Sequence, residues 1–381
     1  MAVASGNKLP LMRKLRVAIV APSLRILGGQ AVQAHRLVEA WRNDPEVEAW
    51  LVPINPLPPG PFSRAVAVKY LRTLTTEATY LALLVRELRR ADVVHVFSAS
   101  YTSFLLAPLP AMLMARALGR PVILNYRSGQ APDHLRRSRI ARAAIAKVDR
   151  TIVPSRFLVD VFSSFGLGAV PVPNVVDLES FSFRERVPLR PRLLSTRNFE
   201  PLYNVACTLR AFAVVQGRFP DAELTLVGGG SLDQKLRSLA DRLGLRRVTF
   251  AGRVPPHEIP AYYAAHDLYI QSPDVDNMPT SILEAFASGM PVVSTDTGGV
   301  PAILIDGTHG LLAPRGDHRT LADRIVSLLD QPGLARSLAR NALATCDAYT
   351  WPSVREQWLS NYREVLGAPT ERSLVAVVDP R

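Results

Sequence analysis

The sequence predicts an α/β protein with two doubly wound domains, each built on a parallel sheet that helices cover on both faces. First, 381 residues exceed one ordinary core, and two domains of about 150–200 residues are the natural expectation. Second, short and nearly continuous apolar runs alternate with helical patterns, which is typical of strands buried on both faces. Third, this alternation occurs twice, once in each half of the chain.

The first series predicts a domain at residues 1–180. Its strand candidates are 15–20, 48–54, 92–97, 121–126 and 150–154. Helical patterns lie between them, for example at 30–42 and 103–118. Strands separated by helices in this way pair in parallel, because the helices supply the crossover connections.

The second series predicts a domain at 181–350, after a seam at 171–192 that is rich in proline and charge. Its strand candidates are 192–196, 222–228, 247–252, 267–272 and 291–295. A helix is expected from Pro279 to Gly289, with Pro279 near its first turn. A last helix is expected within 351–368, and the tail at 369–381 has no strong structural signal.

Composition indicates a soluble chain in a reducing compartment. The apolar fraction of 48% and the charged fraction of 20% are ordinary for a globular protein. Cys207 and Cys346 lie far apart in apolar helical patterns, so a disulfide framework is not expected. The apolar run at 17–22 reads as a first strand rather than a signal peptide. Charged residues interrupt the best candidate span, 65–85, which falls short of the roughly 20 mostly apolar residues that a span requires.

The net charge of +12 is confined to the first half of the chain. Residues 1–180 carry a net charge of +11, whereas residues 181–381 carry +1. A solvated basic face is the ordinary explanation of such an excess, but its one-sidedness also suggests an anionic partner. Lipid headgroups, a phosphorylated acceptor and nucleic acid are the three candidates.

Candidate binding residues lie in the loops after the strands, since open α/β sheets bind ligands beyond the carboxyl ends of their strands. Gly28 and Gly29 precede a helix, where backbone amides and the positive helix end could face an anion. They do not form a dinucleotide fingerprint, and a plain turn is the alternative. Arg127 and Arg197 follow two strands and could bind phosphate, or else form surface ion pairs. Gly229, in a run of three glycines, permits close ligand approach or a tight turn.

The stretch SPDVDNMPTSILEAFASG at 272–289 carries three carboxylates. Asp274 and Asp276 form a DxD pattern that could hold a metal, and Glu284 follows about one turn inside the expected helix. Carboxylates placed in this way could instead accept hydrogen bonds from sugar hydroxyls without a metal. Thr280 and Ser281 would offer hydroxyls and backbone amides at the start of the helix.

These motifs resemble those of the family 4 glycosyltransferases, which have the GT-B fold of two Rossmann-like domains facing each other across a cleft. The stretch from Asp276 to Glu284 and its continuation SGMPVVSTDTGGVPAIL are similar to the acidic signature of that family. Five further segments are similar in the right order: GGQAVQAHRLVEAW, ADVVHVFS, VPNVVDLESF, GTHGLLAPRGD and YTWPSVREQWLSNYREVL. The last of these resembles a terminal helix that crosses back to the first domain.

The resemblance implies a retaining enzyme that takes a sugar from a nucleotide-diphosphate donor. It implies a donor site in the second domain, an acceptor site in the first, and neither a metal nor another cofactor. A cytoplasmic bacterial protein is expected, in line with the cysteine usage, and the basic first half could give it peripheral contact with the inner membrane face.

The resemblance also assigns roles to the candidate residues. Glu284 would hold the ribose hydroxyls, Asp276 the hydroxyls of the transferred sugar, and Arg197 the diphosphate. Asp276, Arg127 and Glu284 are the expected catalytic residues. The remaining substrate-binding candidates are Gly28, Gly29, His95, Gly229, Met278, Pro279, Thr280 and Ser281. His95 has an alternative, since a histidine within a strand is often a satisfied core residue.

Three positions depart from the family pattern. Asp276 stands where glutamate is usual, and its shorter side chain could accommodate a different donor sugar. A lysine usual after the clamping arginine is absent, and Tyr203 or Asn204 takes its place. Arg127 stands where many members have a histidine. It could supply the missing positive charge, bind an anionic acceptor or pair with a neighbouring carboxylate.

The most basic segment, 133–150, is expected to form an amphipathic helix. Leu135, Ile140, Ala144 and Ile145 would form its apolar stripe, flanked by five basic residues: Arg136, Arg137, Arg139, Arg142 and Lys147. Such a helix could lie on an anionic membrane, or its thin stripe could pack on the sheet. Nucleic acid is disfavoured because no aromatic platform accompanies the charge.

Two other functions stay open at this point. The chain could be a sugar-nucleotide-binding protein without turnover, as the absent lysine suggests. It could also be a nucleotide-sugar epimerase, although the detailed family 4 motifs disfavour this.

Overall fold

The computed structural model describes residues 13–25, 28–57 and 69–367, with the side chains of 69–74 excepted. Two six-stranded sheets form the framework, with strand orders β2-β1-β3-β4-β5-β6 and β12-β11-β10-β7-β8-β9. The first sheet comprises β1 (Leu15–Ala21), β2 (Val47–Pro53), β3 (Val93–Ser98), β4 (Val122–Tyr126), β5 (Arg150–Val153) and β6 (Val170–Pro171). The second comprises β7 (Arg192–Ser195), β8 (Glu223–Val227), β9 (Val248–Gly252), β10 (Leu268–Ile270), β11 (Val292–Thr295) and β12 (Leu311–Ala313).

Helices connect the strands. Those of the first series are α1 (Gly29–Ala40), α2 (Lys69–Leu88), α3 (Thr102–Leu106), α4 (Pro108–Ala117), α5 (Ala131–Arg137), α6 (Arg139–Ile145) and α7 (Arg156–Ser164). Those of the second are α8 (Val205–Arg218), α9 (Asp233–Arg242), α10 (Ile259–Ala265), α11 (Thr280–Ala287), α12 (Val300–Ile303), α13 (His318–Asp330), α14 (Pro332–Leu343) and α15 (Trp351–Val365).

The strand orders confirm the predicted doubly wound fold. In the first sheet the chain runs from β1 to the edge strand β2 and returns to the other side of β1 as β3, and both pairings are parallel. In the second sheet, β7, β8 and β9 run to one edge, and β10, β11 and β12 then run to the other. Direction therefore reverses between β1 and β3 and between β7 and β10, and such switch points are where open α/β sheets bind ligands.

The second sheet is buried on both faces, which explains its continuous apolar strands. Leu193 packs into a core that contains residues of α8, α9 and α13, whereas its neighbour Leu194 packs into a core formed with α10, α11 and α12. Successive side chains of a strand point to opposite faces. Leu268 and Tyr269 of β10 divide between the two cores in the same way.

Four local expectations needed correction. The helical pattern at 103–118 is two helices, because Pro108 cannot continue α3 and instead begins α4. The segment 133–150 is not one helix: α5 ends before Ser138, which is extended and whose hydroxyl accepts the amide of Ala141 in α6. The two- and three-residue strands β6 and β12 had not been predicted.

The split of 133–150 also divides its expected apolar stripe. Leu135 and Ile145 are buried, whereas Ile140 has 60% of its surface exposed. The stripe therefore belongs mainly to the protein core, with Ile140 alone among the large apolar members facing solvent.

Packing groups the described residues into two compact units, one within 13–125, 143–151 and 361–367 and the other within 126–142 and 152–360. The domain boundaries inferred from sequence stay a prediction. The two cysteines are free and buried, and burial raises the pKa of Cys207 to about 11 and that of Cys346 to about 12. Within the described ranges, every helix is too short or too polar to cross a membrane.

Candidate functional site

The candidate site lies at the switch point of the second sheet. β7 and β10 are parallel neighbours, with Leu194 opposite Tyr269. The loop after β7 carries Arg197, and the loop after β10 carries Asp274, Asp276 and the start of α11. The topology therefore brings together residues about 80 positions apart in sequence, as the motif analysis predicted.

Arg197 and Asp276 form an ion pair at the centre of this site. The Nη2 group of Arg197 donates to Oδ2 of Asp276, and Nη1 donates to the hydroxyl of Ser281 at 3.2 Å. Both charged side chains are only 10% exposed. Arg197, predicted to bind phosphate, and Asp276, predicted to bind the sugar, are thus bonded to each other in this structure.

The environment keeps Arg197 charged. Burial, the largest single influence, would lower the pKa of its guanidinium, but Asp276, Tyr203 and Tyr269 together outweigh this effect, and the pKa lies above its ordinary value. The buried Nε atom of Arg197 has no hydrogen-bond partner in the described part of the chain.

The short 3-10 turn Pro201–Tyr203 contacts both Arg197 and residues 274–277, the loop after β10 that carries Asp274 and Asp276 and is called the carboxylate loop below. The ring of Tyr203 lies under the guanidinium of Arg197, with its centroid 4.1 Å from Cζ. The carbonyl of Leu202 accepts the amides of Asp274 and Val275 at 2.9 and 3.1 Å. This turn therefore fixes the backbone that leads to Asp276.

Asn204 holds the same loop through its side chain. Its Nδ2 group donates to Oδ1 of Asp274 at 3.1 Å, and its Oδ1 atom accepts the amide of Cys207 in the first turn of α8. Asp274 is therefore partly buried and held by a residue 70 positions away in sequence.

Glu284 lies in a buried polar cluster beside the ion pair. The hydroxyl of Tyr263 is 3.1 Å from Oε2 of Glu284, 3.2 Å from the carbonyl of Ser281 and 2.8 Å from the hydroxyl of Thr196. Burial, followed by the charge of Glu284, raises the pKa of Tyr263 well above its ordinary value. Tyr263 therefore stays protonated and can donate to the carboxylate.

The first turn of α11 has donors directed away from the helix. Pro279 is the N-cap and its side chain makes no capping hydrogen bond, so the amides of Thr280 and Ser281 have no partner within the helix. Met278, which precedes it, is buried and holds Asn174: its sulfur accepts the amide at 3.3 Å, and its carbonyl accepts the side-chain amide at 3.0 Å. The side chain of Met278 thus packs in the protein rather than standing free at the site.

The loop after β4 lies against the carboxylate loop. The carbonyl of Arg127 accepts the side-chain amide of Asn277 at 2.7 Å. A Cβ atom on Gly129 would lie 3.0 Å from Val275 and 3.4 Å from the backbone of Asp276. Burial lowers the pKa of the Arg127 guanidinium to about 9, and the group is still charged at neutral pH.

Glycines allow two further loops to approach the site closely: the loop after β11 approaches the backbone of Asn277, and the loop after β8 approaches the backbone of Arg197. A Cβ atom on Gly299, after β11, would lie 1.7 Å from the carbonyl oxygen of Asn277. The amide of Gly299 donates to the carbonyl of Asp276 at 3.2 Å. Gly228, after β8, has a φ of +151°, and a Cβ there would lie 2.2 Å from the carbonyl of Arg197. The carbonyl of Gly229 accepts the amide of Phe199, so these glycines bring protein backbones together.

The candidates in the first sheet lie at its own switch point. Gly28 precedes α1 in extended conformation, and no atom of the described residues lies within 4 Å of a Cβ added at Gly28 or Gly29. His95 of β3 is fully buried, with Nδ1 2.9 Å from the Tyr362 hydroxyl and Nε2 3.0 Å from the Asn125 side chain. These are the contacts of a satisfied core histidine, and contact with a substrate would require one of them to break.

The two aspartates of the DxD pattern have different partners. Asp276 binds Arg197 and Asp274 binds Asn204, so they do not converge on one point. Within residues 13–25, 28–57 and 69–367, no three histidine, cysteine or carboxylate side chains are grouped as a metal site would require. The expectation of a metal-free site stays a prediction.

Comparison with known families identifies the two halves of the chain. Residues 27–180 match the model of "Glycosyltransferase Family 4". Residues 180–345 match the model of "Glycosyl transferases group 1". The chain belongs to the family 4, group 1 glycosyltransferases. The resemblance drawn from its motifs is confirmed, because the matched regions meet at residue 180 and contain the loops described above.

Relatives of this chain include bacterial enzymes whose names refer to inositol. It is 31% identical over 209 residues to the phosphatidyl-myo-inositol mannosyltransferase of Mycobacterium leprae, covering 53% of this chain and 55% of the relative. It is 30% identical over 261 residues to the D-inositol 3-phosphate glycosyltransferase of Acidothermus cellulolyticus, covering 62% and 58%. The chain thus spans little more than half the length of these relatives.

Solved structures share the fold of this glycosyltransferase. The Anabaena protein HepE in complex with UDP-glucose superimposes with a TM-score of 0.73 at 19% identity, covering 93% of this chain and 99% of that protein. Sucrose-phosphate synthase from Thermosynechococcus elongatus also gives 0.73 at 19% identity, covering 93% and 100%. At this identity the similarity establishes the fold alone.

Sequence reasoning missed three contributors to the site: Tyr203 as a stacking partner, Tyr263 as a donor to Glu284, and Thr196 beside it. Tyr203 had been noted only as the residue in place of a lysine. Tyr263 lies in the pattern AYYAAHD, which reads as an ordinary core helix. Only the position of Thr196, at the end of a strand, offered a signal for its role.

Proposed function

We propose that this glycosyltransferase moves a sugar from a nucleotide-diphosphate donor to an acceptor, with retention of anomeric configuration and without a metal. The observation that carries the proposal is the position of Arg197, charged and buried at a switch point beside the start of α11. A guanidinium and the amides of a helix start are suitable ligands for a diphosphate. The UDP-glucose complex of HepE, a protein of the same fold, is consistent with such a donor.

Arg197 would stabilise the leaving group. As the bond between the sugar and the diphosphate breaks, negative charge develops on the phosphate oxygens. The guanidinium and the amides of Thr280 and Ser281 are already oriented, and preorganised donors of this kind stabilise developing charge strongly. Arg127, whose loop lies against Asp276, would add charge there or bind an anionic acceptor.

Asp276 and Glu284 would bind the sugar and the ribose. Asp276 is bonded to Arg197 in this structure. Once a diphosphate takes its place, the carboxylate is released to accept sugar hydroxyls. Glu284 already has an orienting donor in Tyr263, which holds the carboxylate for ribose hydroxyls.

The acceptor would be anionic or lipid-linked. The first half of the chain carries a net charge of +11, and the relatives named for phosphatidyl-myo-inositol and inositol 3-phosphate suggest phosphorylated inositols. A cytoplasmic enzyme in peripheral contact with the inner membrane face would meet such acceptors. A glycan or another small molecule is the alternative to be tested alongside them.

A mass-spectrometric screen tests the function. UDP-, GDP- and ADP-sugars are incubated with phosphatidylinositol, inositol phosphates and simple glycans, with and without EDTA. We expect one donor to give a glycosylated product that EDTA does not reduce. Nucleoside diphosphate binding without transfer or hydrolysis for any donor would instead support the second candidate.

That second candidate is a sugar-nucleotide-binding protein without turnover. The feature in its favour is that Tyr203 or Asn204 stands where the family pattern has a lysine, which removes one positive charge from the site. An epimerase is a third candidate, and chromatography of the nucleotide sugar without acceptor would detect it.

A further inference from the structure

The contact between Tyr203 and Arg197 suggests a role that the absent lysine leaves open. Arg197 has three supports: the charge of Asp276, the hydroxyl of Ser281 and the ring of Tyr203. A bound diphosphate could replace the ion pair with Asp276 and the hydrogen bond to Ser281. It could not replace the contact with the ring of Tyr203, which offers Arg197 neither a hydrogen bond nor a charged group.

The stacking of Tyr203 on Arg197 can persist when the ionic partner of Arg197 changes. A cation over an aromatic face within about 6 Å is attracted to it, more strongly where water is excluded, and here the distance is 4.1 Å. Tyr203 also packs partly buried against the core of α8 and β7, so the ring is fixed from its other side. Burial raises the pKa of Tyr203, and the phenol stays neutral beside an incoming anion.

We propose that Tyr203 is a positioning residue that holds Arg197 in place while its ionic partner changes from Asp276 to the donor diphosphate. The inference rests on the proposed function, because it requires a nucleotide-diphosphate ligand. When Asp276 leaves to bind sugar hydroxyls, Arg197 loses its strongest anchor. The ring then keeps the guanidinium directed at the start of α11, so that one stacked arginine serves where the family pattern has an arginine and a lysine.

Calorimetric titration of the full chain with UDP, GDP and ADP tests the proposal, using the diphosphate that binds most tightly. Tyr203→Leu removes the aromatic face but keeps apolar bulk, and we expect at least about a ten-fold weaker Kd. Tyr203→Phe keeps the face and should bind within about two-fold of the parent. The corresponding nucleoside, which lacks phosphate, should bind Tyr203→Leu and the parent equally.

A double-mutant cycle separates positioning from a general structural role. If Tyr203 acts through Arg197, Tyr203→Leu should have no effect on diphosphate affinity in an Arg197→Ala background. The matched control is Trp50→Leu, which removes a similar stack in the first sheet, where Arg90 lies 4.6 Å over the indole. This control should leave the diphosphate Kd unchanged.

The outcomes are distinguishable. Diphosphate binding by the parent with an unchanged Kd in Tyr203→Leu would overturn the inference and leave the proposed function standing. Equal weakening with and without Arg197, or equal loss of nucleoside affinity, would also overturn it. Failure of the parent to bind any of the three diphosphates would overturn the proposed function and the inference together.

Discussion

At the scale of single residues, the important feature of the site is that Arg197 and Asp276 bind each other and could each exchange that partner for a group of the ligand. Arg197 and Asp276 neutralise each other in a largely buried place, where an unpaired charge is costly. A ligand that removes one partner must therefore supply the same charge. A diphosphate does so for Arg197, and hydroxyls can satisfy Asp276.

Asp276→Asn should make the stability of the folded protein depend more strongly on a bound nucleoside diphosphate. Without the carboxylate, Arg197 is a buried cation without a charged partner, and we expect a loss of about 1–3 kcal/mol in the free energy of unfolding. Added nucleoside diphosphate should then raise Tm more than it does in the parent, whereas transfer should fall by at least about 100-fold. Thermal unfolding and the transfer assay measure both effects.

The control for this variant is Asp330→Asn, which breaks an exposed pair with Arg218. Exposed pairs contribute at most about 1 kcal/mol, so unfolding and transfer should stay near the parent values. A Tm for Asp276→Asn equal to that of the parent would contradict the description of the buried pair.

Tyr263→Phe should weaken binding of the ribose. It removes a hydroxyl 3.1 Å from Glu284, and loss of a buried hydrogen-bond donor costs about 1–3 kcal/mol. We expect lower stability in urea and a several-fold larger KM for the donor. Tyr262→Phe is the control, because its hydroxyl makes no hydrogen bond within the described ranges. An unchanged KM for the donor in Tyr263→Phe would contradict the proposal that Glu284 binds the ribose.

At the scale of elements, the site is where the loops after three strands approach the backbone that follows a fourth. The loops after β4, β7 and β11 each contact residues 274–277, which follow β10. Close approach of backbones is possible because glycine stands at two of these contacts. The loop that bears Asp276 is therefore fixed by its neighbours rather than by its own sequence.

Gly299→Ala should displace this loop. A Cβ atom there would lie 1.7 Å from the Asn277 carbonyl, and the forced shift should cost about 1–3 kcal/mol and weaken diphosphate binding. Gly333→Ala is the matched control, since Gly333 lies in α14 with open space around it. There alanine favours the helix, and stability should rise by up to about 1 kcal/mol. Equal stability in the two variants would refute the close approach.

Elements and site differ in how far the sequence predicts them. Apolar runs sufficed for ten strands because most of their side chains are buried or half-buried in the sheets, but β6 and β12 are too short to give a pattern. Pro108 and Ser138 interrupt helices whose periodicity continues across the break. Strand order brings Arg197, Asp276 and Glu284 to one edge, and this could be predicted. Their pairing with each other and with Tyr203 and Tyr263 depends on side-chain packing between distant segments, which no local pattern encodes.

At the scale of the whole molecule, the positive charge of the first half is a separate feature from the site. The second half is nearly neutral and contains the residues proposed to bind the donor. The basic segment 133–150 forms two short helices whose large apolar residues are mostly buried, with Ile140 exposed. Membrane contact would therefore depend mainly on charge.

Vesicle co-sedimentation checks this expectation. We expect binding to vesicles that contain phosphatidylinositol or phosphatidylglycerol at low salt, and release at about 0.5 M salt because the charges are screened. Ile140→Ser should reduce binding only slightly, and neutral phosphatidylcholine vesicles serve as the control. Failure to bind anionic vesicles at low salt would refute membrane contact through this charge.

The proposed function depends on the exchange of Asp276 for the diphosphate of a sugar-nucleotide donor at Arg197. A crystal structure of the protein with its tightest-binding nucleoside diphosphate tests it most directly. We predict that phosphate oxygens lie within hydrogen-bonding distance of Arg197 and the first amides of α11, that Asp276 has left Arg197, and that Glu284 contacts the ribose. A diphosphate bound elsewhere, or one held by a metal between Asp274 and Asp276, would contradict the claim.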